Sequence, residues 1–399
     1  MVPLTVPGPE PTVRILHIAA ELVFGGVENW LLSIVRLLTV EGLRMDLAVT
    51  GGIDPRVQAK FEAFGARVFV CESTYEPLRM AQNLRRILRE HGPYDILHCH
   101  MHRGNAQAAA AGRLAGVPAI IVHSHVDSVT EDALRGWEIK PKVRLAAALQ
   151  RVLADQGLAC GIAAGNCLFG KGWRNRKRWS VHYCGIDLAR FQRPADGPEI
   201  RRRLGVPQNA FVIGHIGRSD PVKNQGFILD LAAHYTAHRA EAYFVLVGDG
   251  ALLPALSERA RQMGLSGRLQ FLGARDDVPE LLLGLFDVFL LPSLAEGLPI
   301  SLLEAQAAGL PALISDRITS EARVLPAIEA LGIGQPVEDW AAALDRLRGR
   351  RIDTDTALRQ LGEAGFGVEE SAQRLGLHYR DLLRASHRTG RIEADQQAQ

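Results

Sequence analysis

Residues 288–311 read VFLLPSLAEGLPISLLEAQAAGLP. The run Val288–Leu291 is short, wholly apolar and closed by a proline, the pattern of a strand buried on both faces. Gly297 and Pro299 then shape a turn, and the small and apolar residues 300–308 begin a helix. A buried strand that turns directly into a helix is half of a parallel βα unit. Two carboxylates stand on this unit with seven residues between them. Glu296 lies on the loop before the helix, and Glu304 about one turn inside it. Ionised carboxylates there can accept strong hydrogen bonds from sugar hydroxyls. The free N–H groups at the helix start suit a diphosphate, which makes the turn Gly297, Leu298 and Pro299 a candidate donor-binding segment. The plainer reading is an acidic residue complementing a helix dipole plus a surface glutamate.

The same alternation extends both ways along the chain. In the first half, residues 13–19, 44–50, 67–71, 95–100 and 119–125 read as strands, with helices near 27–40, 55–64, 77–90 and 104–115. A second series of strands follows at 211–216, 243–247, 268–272, 288–291 and 312–315. Such alternation predicts parallel sheets covered on both faces, and two doubly wound α/β domains end to end. We expect a disordered leader over 1–12, an N-terminal domain over 13–190, a linker over 191–208, a C-terminal domain over 209–385 and a frayed tail over 386–399. Pro194, Pro198 and Pro207 mark the linker. Open α/β sheets bind ligands at the carboxyl ends of their strands, so the cleft between two such domains is the expected site.

Other strand ends carry further candidates. After residues 211–216 comes Gly217-Arg218, then Lys223 five residues on, a cation pair suited to neutralising two phosphates. A solvated loop also explains any single cation there. Gly248, in the stretch Val247-Gly248-Asp249-Gly250, lets a backbone approach a base, although an ordinary turn explains it nearly as well. Gly25 and Gly26 follow the first strand and open a helix, a potential anion or sugar seat. The spacing of a dinucleotide fingerprint is absent, and no acidic residue ends the second strand, which excludes an NAD site. Histidines gather at strand ends: His98, His100 and His102, then His123 and His125. A strand period of two turns His98 and His100 to one side, and likewise His123 and His125. Metal binding is one reading of them, but no neighbouring carboxylate or cysteine completes a site, and hydrogen-bonded core histidines are the plainer alternative.

The run from Ser293 through Glu296-Gly297-Leu298-Pro299 to Glu304 and Gly309-Leu310-Pro311 resembles the donor-site signature of family-4 retaining glycosyltransferases, in particular those of bacterial exopolysaccharide and capsule biosynthesis. The resemblance covers residues 13 to about 321. It implies the GT-B architecture, two Rossmann-like domains facing a cleft, and transfer of a sugar from a nucleotide diphosphate donor, UDP by default, to an acceptor hydroxyl with retention. It also implies roles: Glu304 on the ribose, Arg218 and Lys223 on the diphosphate, Glu296 and His125 on the transferred sugar. Backbone near Gly248, Ala274 and Val278 flanks the base, Gly25 and Gly26 lie beside the diphosphate, and His100 and His123 are further sugar or acceptor contacts. No metal is expected, because cations and helix dipoles neutralise the leaving group. One match is imperfect: Tyr183-Cys184 replaces a usual proline and asparagine in the turn ending at Asp187.

The remaining features limit the alternatives. A net charge of +2 argues against a nucleic-acid protein. No apolar run of eighteen residues occurs, and five cysteines without metal-ligand spacing suit a reducing cytoplasm. Asp353-Thr354-Asp355 reads as solvated loop rather than a metal-binding pair. The basic run from Lys171 to Trp179, with tryptophans at 173 and 179, suggests peripheral docking on anionic lipid, where a lipid-linked acceptor would be reached; a solvated loop is the plainer reading. A nucleotide-sugar epimerase on the same fold, a non-catalytic nucleotide-sugar sensor, and a small natural-product acceptor remain the competing readings of function.

Overall fold

The computed structural model describes residues 13–72, 76–125 and 141–397, so the expected leader lies outside the described residues. The first sheet holds β1 (Val13–Ala19), β2 (Leu43–Val49), β3 (Val68–Val70), β4 (Ile96–Cys99), β5 (Ala119–Ser124), β6 (Gln156–Ala159) and β7 (Trp179–Val181). They are parallel and run in the order β3-β2-β1-β4-β5-β6-β7. Helices Gly26–Thr39, Pro55–Ala63, Pro77–His91, Asn105–Leu114, Pro141–Leu153 and Ile162–Phe169 connect them. Local chemistry starts these helices where expected: Asp54 caps its helix by accepting from the Arg56 amide at 2.8 Å, with Pro55 at the first position.

The second sheet holds β8 (Phe211–Ile216), β9 (Ala242–Val247), β10 (Leu269–Phe271), β11 (Val288–Leu291), β12 (Ala312–Ser315) and β13 (Ile328–Leu331), in the order β10-β9-β8-β11-β12-β13. Both sheets reverse direction of growth beside their first strand, at β1/β4 and at β8/β11. A crevice opens at the carboxyl ends at such a point, because the connections on its two sides leave toward opposite faces. The expected class, two parallel-sheet α/β units, is what the chain forms.

β6, β7 and β13 escape a reading by pattern. β6 is Gln-Gly-Leu-Ala and β7 is Trp-Ser-Val, each too short and mixed to show a period. The expected linker also differs. Residues 197–204 form a helix capped by Asp196, which accepts from the Glu199 amide at 3.0 Å, and closed by Gly205 at φ +68. Pro198 stands at its first turn, where its missing N–H costs nothing. Arg201 fastens it to the Leu285 carbonyl and to Asp287. The second unit therefore runs over Cys184–Gly367.

The C-terminal boundary moves as well. Val368–Gln397 is one helix, not the end of the second domain with a frayed tail, and it belongs to the first unit. It lies on helix Gly26–Thr39, where the Trp30 indole donates to Ser371 Oγ at 3.0 Å. Tyr379 and His98 share a 2.8 Å hydrogen bond, and Gln156 bonds His378 at 2.7 Å. The chain leaves the second unit beside the place where it entered: Ile186 donates to the Phe366 carbonyl at 2.8 Å, and Ile186 and Gly367 form a parallel bridge. No helix among the described residues is long and apolar enough to cross a membrane.

Tyr379→Phe leaves a fully buried His98 nitrogen without its partner. The expected cost is about 1–3 kcal/mol, the penalty for one unsatisfied buried group, read as a lower urea midpoint; an unchanged midpoint would detach the C-terminal helix from the first unit.

Candidate active site

The loops that follow β8, β9, β10 and β11 lie side by side along one edge of the second sheet, and they carry the donor candidates. Lys223 ends a short 3-10 turn, Pro221–Lys223, that Asp220 caps by accepting from the Val222 amide at 3.1 Å. Asn224 takes a left-handed conformation at φ +55 and donates to the Pro292 carbonyl at 3.3 Å. The Leu294 amide donates to the Val222 carbonyl at 2.8 Å. These bonds join the β8 loop to the β11 loop across the crevice between the strands. There Lys223 Nζ meets Glu296 Oε1 at 2.6 Å, with the side chains 21 % and 10 % exposed. Two residues 73 positions apart thus form one preorganised ion pair at the reversal of strand order.

The neighbours of this pair are held from beneath. His215 Nδ1 donates to the Leu290 carbonyl at 2.9 Å, so its other nitrogen is bare and lies 3.4 Å from the Gln225 amide, which also donates to the Arg218 carbonyl at 2.8 Å. Burial pushes His215 down to about 4, with nearby Lys223 adding to the effect. Arg218 is 55 % exposed and stands 4.0 Å from Asp220. Gly248 lies at φ +135 with its α-carbon against the Gly217 carbonyl; a Cβ there would fall 2.1 Å from that oxygen. Its immediate work is thus to let the β8 and β9 loops touch. Its amide also donates to Gly273 O at 2.8 Å, which places Ala274 next to it. Val278 begins helix Val278–Gly284.

Gly297 and Leu298 occupy the turn after Glu296, and Pro299 is the N-cap of helix Ile300–Ala307, which has no side-chain cap. Its first N–H groups therefore remain for a ligand. Glu304 lies in this helix. Burial raises its carboxyl to about 7 against the pull of Arg190, a residue no motif had singled out. Arg190 also donates to the Asp276 carbonyl at 2.9 Å, and so ties the segment after β10 into the same edge.

In the first unit the histidines come together as expected and gather more. His17 on β1 aligns with His98 on β4. His17, His98, His100, His123 and His125 share one face, beneath Trp30 and Tyr379. His17 Nδ1 lies 3.0 Å from His100 Nε2, His100 Nδ1 2.8 Å from His125 Nε2, and His123 Nδ1 3.3 Å from His98 Nε2. Burial holds His17 and His125 near 3, and His98, His100 and His123 well below the usual histidine range, so the imidazoles are neutral. Two triads, His17-His98-His100 and His100-His123-His125, bring one ring nitrogen each within 4.8 Å, and both consist of histidine alone. A cation there would displace the bonds the rings already make to one another, and no carboxylate of either triad would balance its charge. His17, Trp30, Ser371 and Tyr379 went unread; only pairing β1 with β4 in register would have found His17. Gly25 is the extended N-cap of helix Gly26–Thr39, accepting from the Asn29 amide at 3.0 Å, and Gly26 is its first residue.

Two expectations are corrected. Trp173 and Trp179 are 2 % and 7 % exposed, packed on Phe169. Gly165 and Gly157 make room for them; a Cβ would lie 2.2 Å and 2.1 Å from the respective rings. The aromatic half of the membrane-docking pattern is therefore core, and only the cations, such as Arg174, Arg176, Lys177 and Arg178, face solvent. Asp353 is not in a loose loop: it caps helix Thr354–Glu363 by accepting from the Thr356 amide at 3.0 Å.

Residues 196–356 match the family described as glycosyl transferases group 1, and residues 25–160 match a glycosyl transferase 4-like domain. The glycosyltransferase EpsF of Bacillus subtilis (strain 168) is 34 % identical over 361 residues, spanning 88 % of this chain and 92 % of its own. The chain belongs to the group 1 glycosyltransferases. The transferase is also similar to an Escherichia coli UDP-Gal:alpha-D-GlcNAc-diphosphoundecaprenol alpha-1,3-galactosyltransferase, 29 % identical over 321 residues, 76 % of this chain and 79 % of that one. Its fold is that of Anabaena Alr3699/HepE in complex with UDP and glucose, at a TM-score of 0.74 and 21 % identity, covering 91 % of this chain and 98 % of that one.

The raised carboxyl of Glu304 has a sign that can be checked. A carboxyl lifted from 4.5 to about 7 favours the protonated fold, so stability is full below 4.5 and is lost as pH rises through 7. Glu304→Gln should therefore stabilise the ligand-free transferase above neutral pH, by at most about 3 kcal/mol at 1.36 kcal/mol per pH unit, and change little in acid. Equal unfolding temperatures for both proteins at alkaline pH would remove the burden assigned to Glu304.

Proposed function

We propose that the transferase moves a sugar from a UDP-sugar to an acceptor hydroxyl with retention of anomeric configuration and without a metal ion. The observation that carries this reading is the Lys223–Glu296 pair at the strand-order reversal of the second sheet, flanked by Arg218 and the uncapped helix Ile300–Ala307. Lys223, Arg218 and the helix N–H groups neutralise the diphosphate. Glu304, once ionised, accepts from the ribose hydroxyls. Gly248, Ala274 and Val278 supply backbone beside the base, and Gly297, Leu298 and Pro299 the turn beside the phosphates. The first unit contributes Gly25 and Gly26 to the diphosphate and sugar, and His125 to the sugar, with His100 and His123 behind it. Glu296 passes from Lys223 to a sugar hydroxyl as the phosphates take up the lysine.

In the proposed step the acceptor oxygen bonds to the anomeric carbon as the carbon–phosphate oxygen bond breaks on the same face. The acceptor proton passes to the departing phosphate, so no carboxylate nucleophile is needed. The domain organisation follows the same division, nucleotide on the second unit and acceptor on the first. The diphosphoundecaprenol in the name of the Escherichia coli relative supports a lipid-linked or polysaccharide acceptor, the site of action in this reading is the cytoplasm, and the exposed cations Lys171, Arg174, Arg176, Lys177 and Arg178 support contact with anionic lipid headgroups.

A thermal-shift screen with UDP, GDP, ADP and their common sugars, with and without EDTA, tests the donor. A ligand at about a hundred times its Kd adds about 2.7 kcal/mol, and stabilisation by the UDP series alone, unchanged by EDTA, is expected. No shift with any of them would sink the reading. Lys223→Ala should lower turnover by about a hundredfold or more, the scale of a lost electrostatic donor, in a protein that still folds. Retention requires the product anomer to match the donor anomer by NMR. Sedimentation with anionic liposomes at low salt is expected, and its absence would remove the lipid contact.

A further inference from the structure

The histidine contacts of the first unit constrain where their protons lie. A neutral imidazole has one N–H and one bare nitrogen, and a hydrogen bond between two rings needs one of each. His17 Nδ1 pairs with His100 Nε2 at 3.0 Å, and His100 Nδ1 with His125 Nε2 at 2.8 Å. If His17 donates from Nδ1, His100 accepts at Nε2 and must carry its own proton on Nδ1. His125 then accepts at Nε2 and carries its proton on Nδ1. Reversing one link reverses both, so the three rings share a single tautomer.

The enclosed end of the chain decides which one. His17 is fully buried, and its Nε2 has no partner. One tautomer leaves a bare nitrogen there; the other buries an N–H with nothing to receive it, which folded proteins avoid. His182, on the same side of this unit, shows the preference. Ser371 has one hydroxyl proton and donates it to the Tyr183 carbonyl at 2.9 Å, so His182 donates from Nε2 to Ser371 Oγ at 3.2 Å. The His182 atom without a partner, Nδ1, is therefore the bare one.

We propose that His17 and His100 are positioning residues that hold His125 as its Nδ1–H tautomer, so that the ring offers the transferred sugar a hydrogen-bond donor and not a base. The sugar contact rests on the assignment of His125 made above; the tautomer does not. His17 lies on β1, and His100 and His125 directly follow β4 and β5; these strands are neighbours in the sheet, so its register holds the rings at bonding distance. A donor at His125 suits a step in which the departing phosphate, and no protein base, removes the acceptor proton.

The test is a side-chain proton–nitrogen correlation spectrum of the full chain with isotope-labelled histidine, at neutral pH and without substrate. Single His17→Gln, His100→Gln and His125→Gln variants assign the signals. Protonation on Nδ1 is expected for His17, His100 and His125 alike. In His100→Gln the side-chain amide can accept from His17 and donate to His125, so His125 should stay Nδ1–H. In His100→Leu the lock is absent, and His125 should populate the Nε2–H form. His125 protonated on Nε2 in the parent chain, unlike tautomers among the three rings, or a His125 signal indifferent to His100→Leu would overturn the proposal. Should His100→Leu fail to fold, the parent spectrum still decides. No substrate takes part, so absent transfer activity leaves the tautomer result intact, and a wrong tautomer leaves the transferase reading intact.

Discussion

A parallel strand covered by helices on both faces has only its ends left for chemistry. Every strand of β8, β9, β11 and β12 is buried along its length or nearly so, and polar groups placed mid-strand would need partners that the core does not hold. The candidate residues of the second unit accordingly lie on the loops at the carboxyl edge and on the helix that leaves it after β11. The reversal of strand order then selects one place on that edge. Between β8 and β11 the loops part, and the bonds from Asn224 to Pro292 and from Leu294 to Val222 fix how far. Lys223 and Glu296 meet there because the backbone brings them together, and the glycines at 217 and 248 let the adjoining loops close up behind them.

The first unit solves the same constraint differently. Its histidines sit at the carboxyl ends of the strands or one residue past them, and bond to one another. Packing five imidazoles together is tolerable because neutral rings can bond to one another, and their desolvation favours the neutral form. The C-terminal helix completes this arrangement. Tyr379 reaches His98, and Ser371 links Trp30, His182 and the Tyr183 carbonyl. The last thirty residues of structured chain are thus part of the unit that the chain built first.

Glu304 and Lys223 illustrate two ways to hold charge ready. Lys223 is already paired in the empty protein, its ammonium 2.6 Å from Glu296 Oε1. Among the described residues Glu304 has no such counter-ion at bonding distance, only the influence of Arg190, and burial lifts its carboxyl toward neutrality. A partner with hydroxyl donors would relieve an ionised carboxylate in that position, as the role proposed for Glu304 on the ribose requires.

The sequence by itself determined the fold class and most of the second unit's edge. Alternating apolar runs and helices require parallel sheets, and glycine-bounded turns after apolar strands place Arg218, Lys223, Gly248, Glu296 and Glu304 at carboxyl ends, because these signals are local and periodic. Tertiary structure alone decided what non-local packing decides. It made Trp173 and Trp179 core, since glycines at 165 and 157 clear space for their rings. It returned Val368–Gln397 to the first unit. It also joined His17, His100 and His125 into one chain of hydrogen bonds. None of these partners lies within a turn or a strand period of the other, so no pattern along the chain could have announced them; only the register of the strands and the path of the last helix do.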